Sequence, residues 1–166
     1  MILRLPLAAL ALACCAAPAQ DIRLGDAHAP TTKGHVLLLS ESLTVDAGKP
    51  TTLELRFRVD PGFHINSHTP KDELLIPTNL KLDPTGPVKI SAEDYPPGQP
   101  FHLQLANGET PGETLDVYQN EFRITLHLLA PKGPSTLLGS LRYQACDNAA
   151  CFPPKTLPIT IAVTGK

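Results

Sequence analysis

The chain has 166 residues, 14 of them basic and 16 acidic, for a formal net charge of −2 without any run of like charge, so neither nucleic acid nor an anionic membrane surface is indicated as a partner. Eighteen prolines, eleven glycines and no tryptophan describe a loop-rich domain in which proline punctuates strands and excludes long helices. No phosphate-cradling glycine loop, nucleotide fingerprint or Ser-His-Asp pattern is present, and no cofactor is expected.

At the N-terminus Arg4 precedes an apolar run from Leu5 to Ala17, and Ala17-Pro18-Ala19 stands ahead of Gln20. This pattern reads as a secretory signal peptide over residues 1–19, with an apolar run too short to cross a bilayer. Cleavage after Ala19 removes Cys14 and Cys15 and leaves two cysteines for a periplasmic or otherwise secreted, oxidising compartment. A lipid-anchored alternative would keep one of the early cysteines as the modified first residue, but the residues before Cys14 and Cys15 match that pattern poorly. Residues 20–34 are polar, carry Gly25, Pro30 and Gly34, and read as a flexible leader to a domain over 35–166.

Along that domain His35 to Leu39 reads as a first strand. Strict alternation then follows from Thr52 to Val59, where Leu53, Leu55, Phe57 and Val59 share one face and Thr52, Glu54, Arg56 and Arg58 the other. Phe63 to Asn66, Asn79 to Leu82 and Val88 to Ser91 are shorter strand candidates. The period returns at Phe122, Ile124, Leu126 and Leu128, continues through Leu137 to Tyr143, and closes at Leu157, Ile159, Ile161 and Val163. Turns at Asp60-Pro61-Gly62, Asp83-Pro84-Thr85-Gly86 and Pro131-Lys132-Gly133 separate these runs. About seven short strands punctuated in this way predict an all-β, antiparallel β-sandwich. The stretch from Glu93 to Gly112, with four prolines and three glycines, predicts the longest loop and a candidate functional flap.

Within the domain, His64 and His68 raise the question of a metal site. Residues four apart on a strand share a face at about 13 Å, and no thioether ligand stands nearby, so no metal is expected. Lys71-Asp72-Glu73 reads as a polar turn into a core strand, since adjacent carboxylates on a strand point opposite ways.

Cys146 and Cys151 follow, with four residues between them, in the segment Tyr143-Gln144-Ala145-Cys146-Asp147-Asn148-Ala149-Ala150-Cys151-Phe152-Pro153-Pro154. A disulfide over so small a loop contributes only about 2 kcal/mol in the chain-entropy model, against about 4.7 for a hundred-residue loop. The spacing therefore favours a pair that opens and closes, while a static staple of a hairpin is also compatible with it. Pro153-Pro154 prevents a helix from starting after the pair, so thiol activation by a helix N-terminus is absent. Asp147 further disfavours a thiolate, and the thiols are expected not to be strongly acidified. Arg142 reads as an outward charge on an alternating strand. Two cysteines alone do not make a zinc site.

Tyr143-Gln144-Ala145-Cys146, Cys151-Phe152-Pro153-Pro154-Lys155-Thr156 and the closing strand resemble the N-terminal periplasmic domain of the thiol:disulfide interchange protein DsbD. Gly62-Phe63-His64-Ile65-Asn66 is similar to that domain's glycine-aromatic strand, Glu93-Asp94-Tyr95 to the acidic-aromatic loop that caps its cysteines, and Val117-Tyr118 with Phe122 to Leu128 to a later strand. The resemblance spans roughly residues 35–164. It implies an immunoglobulin-like fold and a component of thiol:disulfide interchange, with electrons arriving from a membrane-embedded donor and leaving to thioredoxin-fold periplasmic proteins. By motif position it makes Cys151 the residue that forms a mixed disulfide with the partner and Cys146 the resolving residue. Tyr95 becomes a shield over the pair, Glu93 and Asp94 its acidic neighbours, and Tyr143 and Phe152 the flanking modulators. Because the chain ends at Lys166, the electron donor is expected to be a separate protein, and the chain a monomer. The contrasting expectation is a non-enzymatic immunoglobulin-like binding module whose disulfide is structural.

Overall fold

A computed structural model describes residues 34–102 and 114–166. The expected signal peptide at 1–19, the leader up to residue 33 and the part of the flap at 103–112 lie outside the described residues. Twelve strands are present among the described residues: β1 (Val36–Leu38), β2 (Ser42–Val45), β3 (Thr51–Val59), β4 (His64–Asn66), β5 (Asn79–Leu82), β6 (Lys89–Asp94), β7 (Gln99–His102), β8 (Thr114–Tyr118), β9 (Glu121–Leu129), β10 (Gly133–Tyr143), β11 (Ala145–Cys146) and β12 (Lys155–Gly165). They form three four-stranded sheets, β1-β3-β9-β6, β2-β12-β10-β5 and β11-β4-β8-β7, in an immunoglobulin-like β-sandwich.

The period-2 runs become the long central strands. On β3, Leu53, Leu55, Phe57 and Val59 are buried while Thr52, Glu54, Arg56 and Arg58 are exposed, and β9 and β12 alternate in the same way. Facing residues close the core: Phe57 stacks on Phe122 at 5.1 Å, and Phe122 on Tyr118 at 4.7 Å. Leu137, Leu141, Ile159, Ile161 and Val163 supply the side of β10 and β12. On the outer face Arg56 lies directly opposite Arg123, a repulsive juxtaposition. Each guanidinium turns to a carboxylate instead, Arg56 to Glu121 at 2.9 Å and Arg123 to Glu54 at 3.2 Å. These pairs are half exposed, so they contribute register more than stability.

Two departures from the sequence expectation have local causes. The sandwich is not wholly antiparallel, because β2 runs parallel to β12. Only Leu39, Ser40 and Glu41 separate β1 from β2; Leu39 donates to Arg56 O, and Glu41 O accepts from Ala162, so the chain crosses from one sheet to the other without turning back. The described part of the expected flap, residues 93–102, is also largely strand. Glu93 and Asp94 end β6, Gln99–His102 is β7, and only residues 95–98 connect them. Proline misled the reading here: Pro100 sits in β7, which is the edge of its sheet, where a missing N–H donor is tolerated.

The third sheet positions the cysteines. Asp60-Pro61-Gly62 makes a tight turn closed by Phe63 N–H on Asp60 O at 3.1 Å, with Gly62 at φ 84°, a conformation open to glycine and strained for other residues. The turn delivers β4, all three residues of which are buried. β4 lies between β11 and β8, with Ala145 opposite Ile65, Cys146 opposite His64, and Tyr118 opposite Ile65 on the other side. Ile65, Ala145 and Tyr118 belong to the main core, whereas His64 and Cys146 alternate to the other face of the sheet.

Candidate functional site

Cys146 and Cys151 are joined by a disulfide with Cα atoms 4.0 Å apart, at directly opposed positions of a short antiparallel hairpin. Phe152 N–H donates to Ala145 O at 2.8 Å and Asp147 N–H to Ala150 O at 3.0 Å, one bond on each side of the cysteines. The Asp147 carboxylate accepts from the N–H groups of Ala149 and Ala150, both at 2.7 Å. This is the aspartate-capped turn for which Asp and Asn are favoured. Those two backbone donors hold the Asp147 carboxyl below its ordinary range, with His64 adding a smaller pull in the same direction. Gln144 Nε2 reaches over to Phe152 O at 3.1 Å. The hairpin thus has its own hydrogen bonds beside the sulfur bridge.

The two sulfurs stand in different surroundings. Cys146 is 1% exposed, whereas Cys151 is exposed. Opposite Cys146, His64 is also 1% exposed, and its ring packs against Phe101 of β7 at 4.2 Å. Burial lowers the His64 pKa below the ordinary imidazole value, against a smaller upward pull from the Asp147 carboxylate. His64 Nε2 has no hydrogen-bond partner among the described residues.

On the exposed side, Phe152 joins an aromatic group. His35 stacks on Phe63 at 3.7 Å, and Phe152 lies 5.6 Å from His35 and 5.8 Å from Phe63. The His35 ring donates from Nδ1 to the Asp60 carboxylate at 3.3 Å. Tyr143 is 2% exposed, and burial raises its pKa against the smaller opposing pull of the main-chain N–H groups of His35 and Val36. The end of the strand that leads to the cysteines thus lies beside the start of β1.

The acidic-aromatic residues do not gather at one point. Tyr95 stacks on His68 at 3.6 Å, its hydroxyl accepts from Leu80 N–H at 2.8 Å, and it donates to the Glu93 carboxylate at 3.1 Å. Burial is the main cause that pushes the Tyr95 pKa upward, opposed by the Leu80 hydrogen bond. His68 N–H in turn donates to the Tyr118 hydroxyl at 3.1 Å, which donates to Pro96 O at 2.9 Å. Asp94, one residue along the strand, turns the other way and accepts from His127 Nε2 at 2.6 Å. Alternation along β6 separates two carboxylates that the resemblance grouped in one cap.

His64 and His68 likewise diverge, one to Phe101 and the other to Tyr95, with His68 Nδ1 donating to Thr78 O at 3.0 Å. Arg142 is exposed on β10 between Asn79 and Thr156, as its outward alternation predicts. Lys71 pairs with Asp116 at 3.2 Å, and Asp72 caps Leu74 N–H in a surface turn. His35 and Phe101 carried no site signal in the sequence. Their contacts arise from the fold, which joins distant parts of the chain, and of these clusters Phe63, His64 and Phe152 stood in recognisable motifs.

Residues 36–162 match the family model described as thiol:disulfide interchange protein DsbD, N-terminal. No curated protein matches the chain. Among solved structures, the chain is similar to the Neisseria meningitidis DsbD N-terminal domain in the reduced form, with 20% identity and a TM-score of 0.44 over 72% of this chain and 82% of that one. It is also similar to the periplasmic chaperone SfaE, with 9% identity and a TM-score of 0.36 over 79% of this chain and 58% of that one. The PapD-like domain 7 of human CEP192 gives 10% identity and a TM-score of 0.33 over 82% of this chain and 91% of that one.

Proposed function

The chain belongs to the family of N-terminal domains of the thiol:disulfide interchange protein DsbD, and from that membership we propose that it relays reducing equivalents in the periplasm through Cys146 and Cys151 to thioredoxin-fold partners. The observation that carries this reading is the asymmetry of the pair, one sulfur buried and the other open to solvent. An incoming thiolate needs a reachable sulfur and a leaving group held in place. Cys151 meets the first need and Cys146 the second.

In the oxidised form a donor thiolate attacks Cys151 Sγ, the Cys146–Cys151 bond breaks, and Cys146 leaves as the thiolate and takes a proton. The donor's second thiol then displaces Cys151 and closes the donor's own disulfide. Two electrons and two protons have passed to this chain. In the forward step the Cys151 thiolate attacks the partner's disulfide and forms a mixed disulfide. Cys146 then attacks Cys151 Sγ, restores the internal bond, and releases the partner as a dithiol. The hairpin's hydrogen bonds suit this cycle, because they hold the two cysteines opposed through bonds other than the sulfur bridge.

The reading includes a signal peptide at 1–19, a leader at 20–34, a monomeric domain at 35–166 and a separate membrane-embedded donor. Tyr95, with Glu93 on its hydroxyl and Asp94 on the opposite face, modulates access from the side of β6. Tyr143 and Phe152 seat the hairpin. Equilibration of the pair against glutathione buffers, read by mass spectrometry, tests the relay. A reduction potential well above about −300 mV fits it; a value below that, with no exchange against a thioredoxin-fold protein, identifies a structural disulfide instead.

A further inference from the structure

His64 is the one histidine of the described residues that lies directly across a strand pair from a cysteine. Directly opposed residues of antiparallel strands project to the same face with Cβ atoms about 5 Å apart, and Cys146 and His64 hold that relationship on β11 and β4. Both are 1% exposed. They share their face with Val117 of β8, which is buried yet stands apart from the main core, and with Phe101 of β7. One buried face of the third sheet therefore holds one cysteine and one imidazole.

The surroundings of His64 give its Nε2 no hydrogen-bond partner among the described residues. Its ring packs on Phe101 as an apolar side chain would, while Nε2 itself is buried. A buried polar nitrogen left in that state calls for an explanation, and an exchangeable proton on a neighbouring group provides one.

We propose that His64 is the general base for the resolving cysteine, taking the proton from the Cys146 thiol as Cys146 attacks the mixed disulfide on Cys151. The inference rests on the assignment of Cys146 as the resolving residue. In the step, the Cys146 S–H bond breaks and its proton goes to His64. Cys146 Sγ bonds to Cys151 Sγ, the Cys151–partner S–S bond breaks, and the partner thiolate leaves and takes up the proton. No external oxidant is needed, since the partner's disulfide has already supplied the two-electron acceptor.

The surroundings fit that duty. A buried thiol ionises reluctantly, so Cys146 needs an acceptor more than Cys151 does. Burial keeps His64 uncharged at neutral pH, in the form that accepts a proton, and the Asp147 carboxylate stabilises the imidazolium that results. Asp147 is the charged group that acts on this ring; β7 contributes the aromatic Phe101 against it, and on β8 the aliphatic Val117 stands opposite Asn66, two residues along β4 on the same face.

The test follows the reduced chain after rapid mixing with excess glutathione disulfide, with acid quench and mass spectrometry resolving the mixed disulfide from the closed internal one. In His64→Gln the closure step is expected to slow by about 100-fold, the usual scale of general-base assistance. Its rate is expected to rise about tenfold per pH unit between pH 6 and 8, as unassisted thiol ionisation requires. Formation of the mixed disulfide at Cys151 is expected to stay within about twofold of wild type. An unchanged closure rate, or equal slowing of both steps, overturns the proposal. A wild-type chain that forms no mixed disulfide at all overturns the relay and this inference together. Should His64→Gln fail to fold, the ring titration of His64 by NMR in the wild-type chain decides: different midpoints in the disulfide and dithiol forms support coupling to Cys146, and identical midpoints refute it.

Discussion

Cys146 and Cys151 face each other with Cα atoms 4.0 Å apart in a hydrogen-bonded hairpin, yet Cys146 is buried within the third sheet while Cys151 opens to solvent beside Phe152. Two sulfurs of the same chemistry are thereby set apart by burial alone. Burial withholds one sulfur from intermolecular attack and keeps it within reach of its neighbour.

Replacing Cys146 with Ala therefore traps the chain on a partner. Incubated with an oxidised thioredoxin-fold protein, Cys146→Ala is expected to accumulate a stable mixed disulfide at Cys151, seen as a single adduct by mass spectrometry. Cys151→Ala should yield at least tenfold less adduct, because its remaining thiol is 1% exposed. Trapping through Cys146 in preference to Cys151 would reverse the two roles.

Asp147 links the redox pair to pH. Its carboxyl is held below the ordinary range by two backbone donors of the turn. A depressed folded-state pKa means that the stabilisation is fully present above the unfolded value of about 3.9 and is lost as pH falls through the folded value. At neutral pH, Asp147→Ala is expected to loosen the turn and make the disulfide easier to reduce, whereas Asp147→Asn keeps an oxygen acceptor and stays closer to wild type. Redox titrations of the three proteins at pH 7 check the order; an unchanged potential in Asp147→Ala shows that the turn does not bias the bond.

Tyr95→Phe keeps the ring on His68 but removes the hydroxyl that accepts from Leu80 N–H. That donor would lose its partner at a partly buried site, at a cost of about 1–3 kcal/mol. Urea unfolding should show a lower midpoint with an unchanged slope, since the same surface is exposed on unfolding. A midpoint equal to wild type would mean that water replaces the hydroxyl at no cost.

Most of the sandwich was legible where a strand has one wet and one dry face. Leu53 to Val59, Phe122 to Leu128 and Leu157 to Val163 alternate because each faces the core on one side only. β4 shows the limit of that signal. His64, Ile65 and Asn66 are all buried, so no wet face marks which residue points where. β7 was hidden for another reason: Pro100 reads as a loop residue until the strand is known to be an edge.

The amino-acid sequence by itself determined the β class, the isolation of Cys146 and Cys151 as a close pair within residues 35–166, and the absence of helix-dipole activation after them. These are local properties, set by alternation, by spacing and by Pro153-Pro154. Only the tertiary structure decided which sulfur is reachable, that His64 stands across from Cys146, that Glu93 and Asp94 part to Tyr95 and His127, and that Phe101 closes over the imidazole. Each depends on strand register, which brings together residues as far apart as 64 and 146. Side-chain period assigns a residue to a face, but the neighbour it meets there is set by which strands pair and in what register.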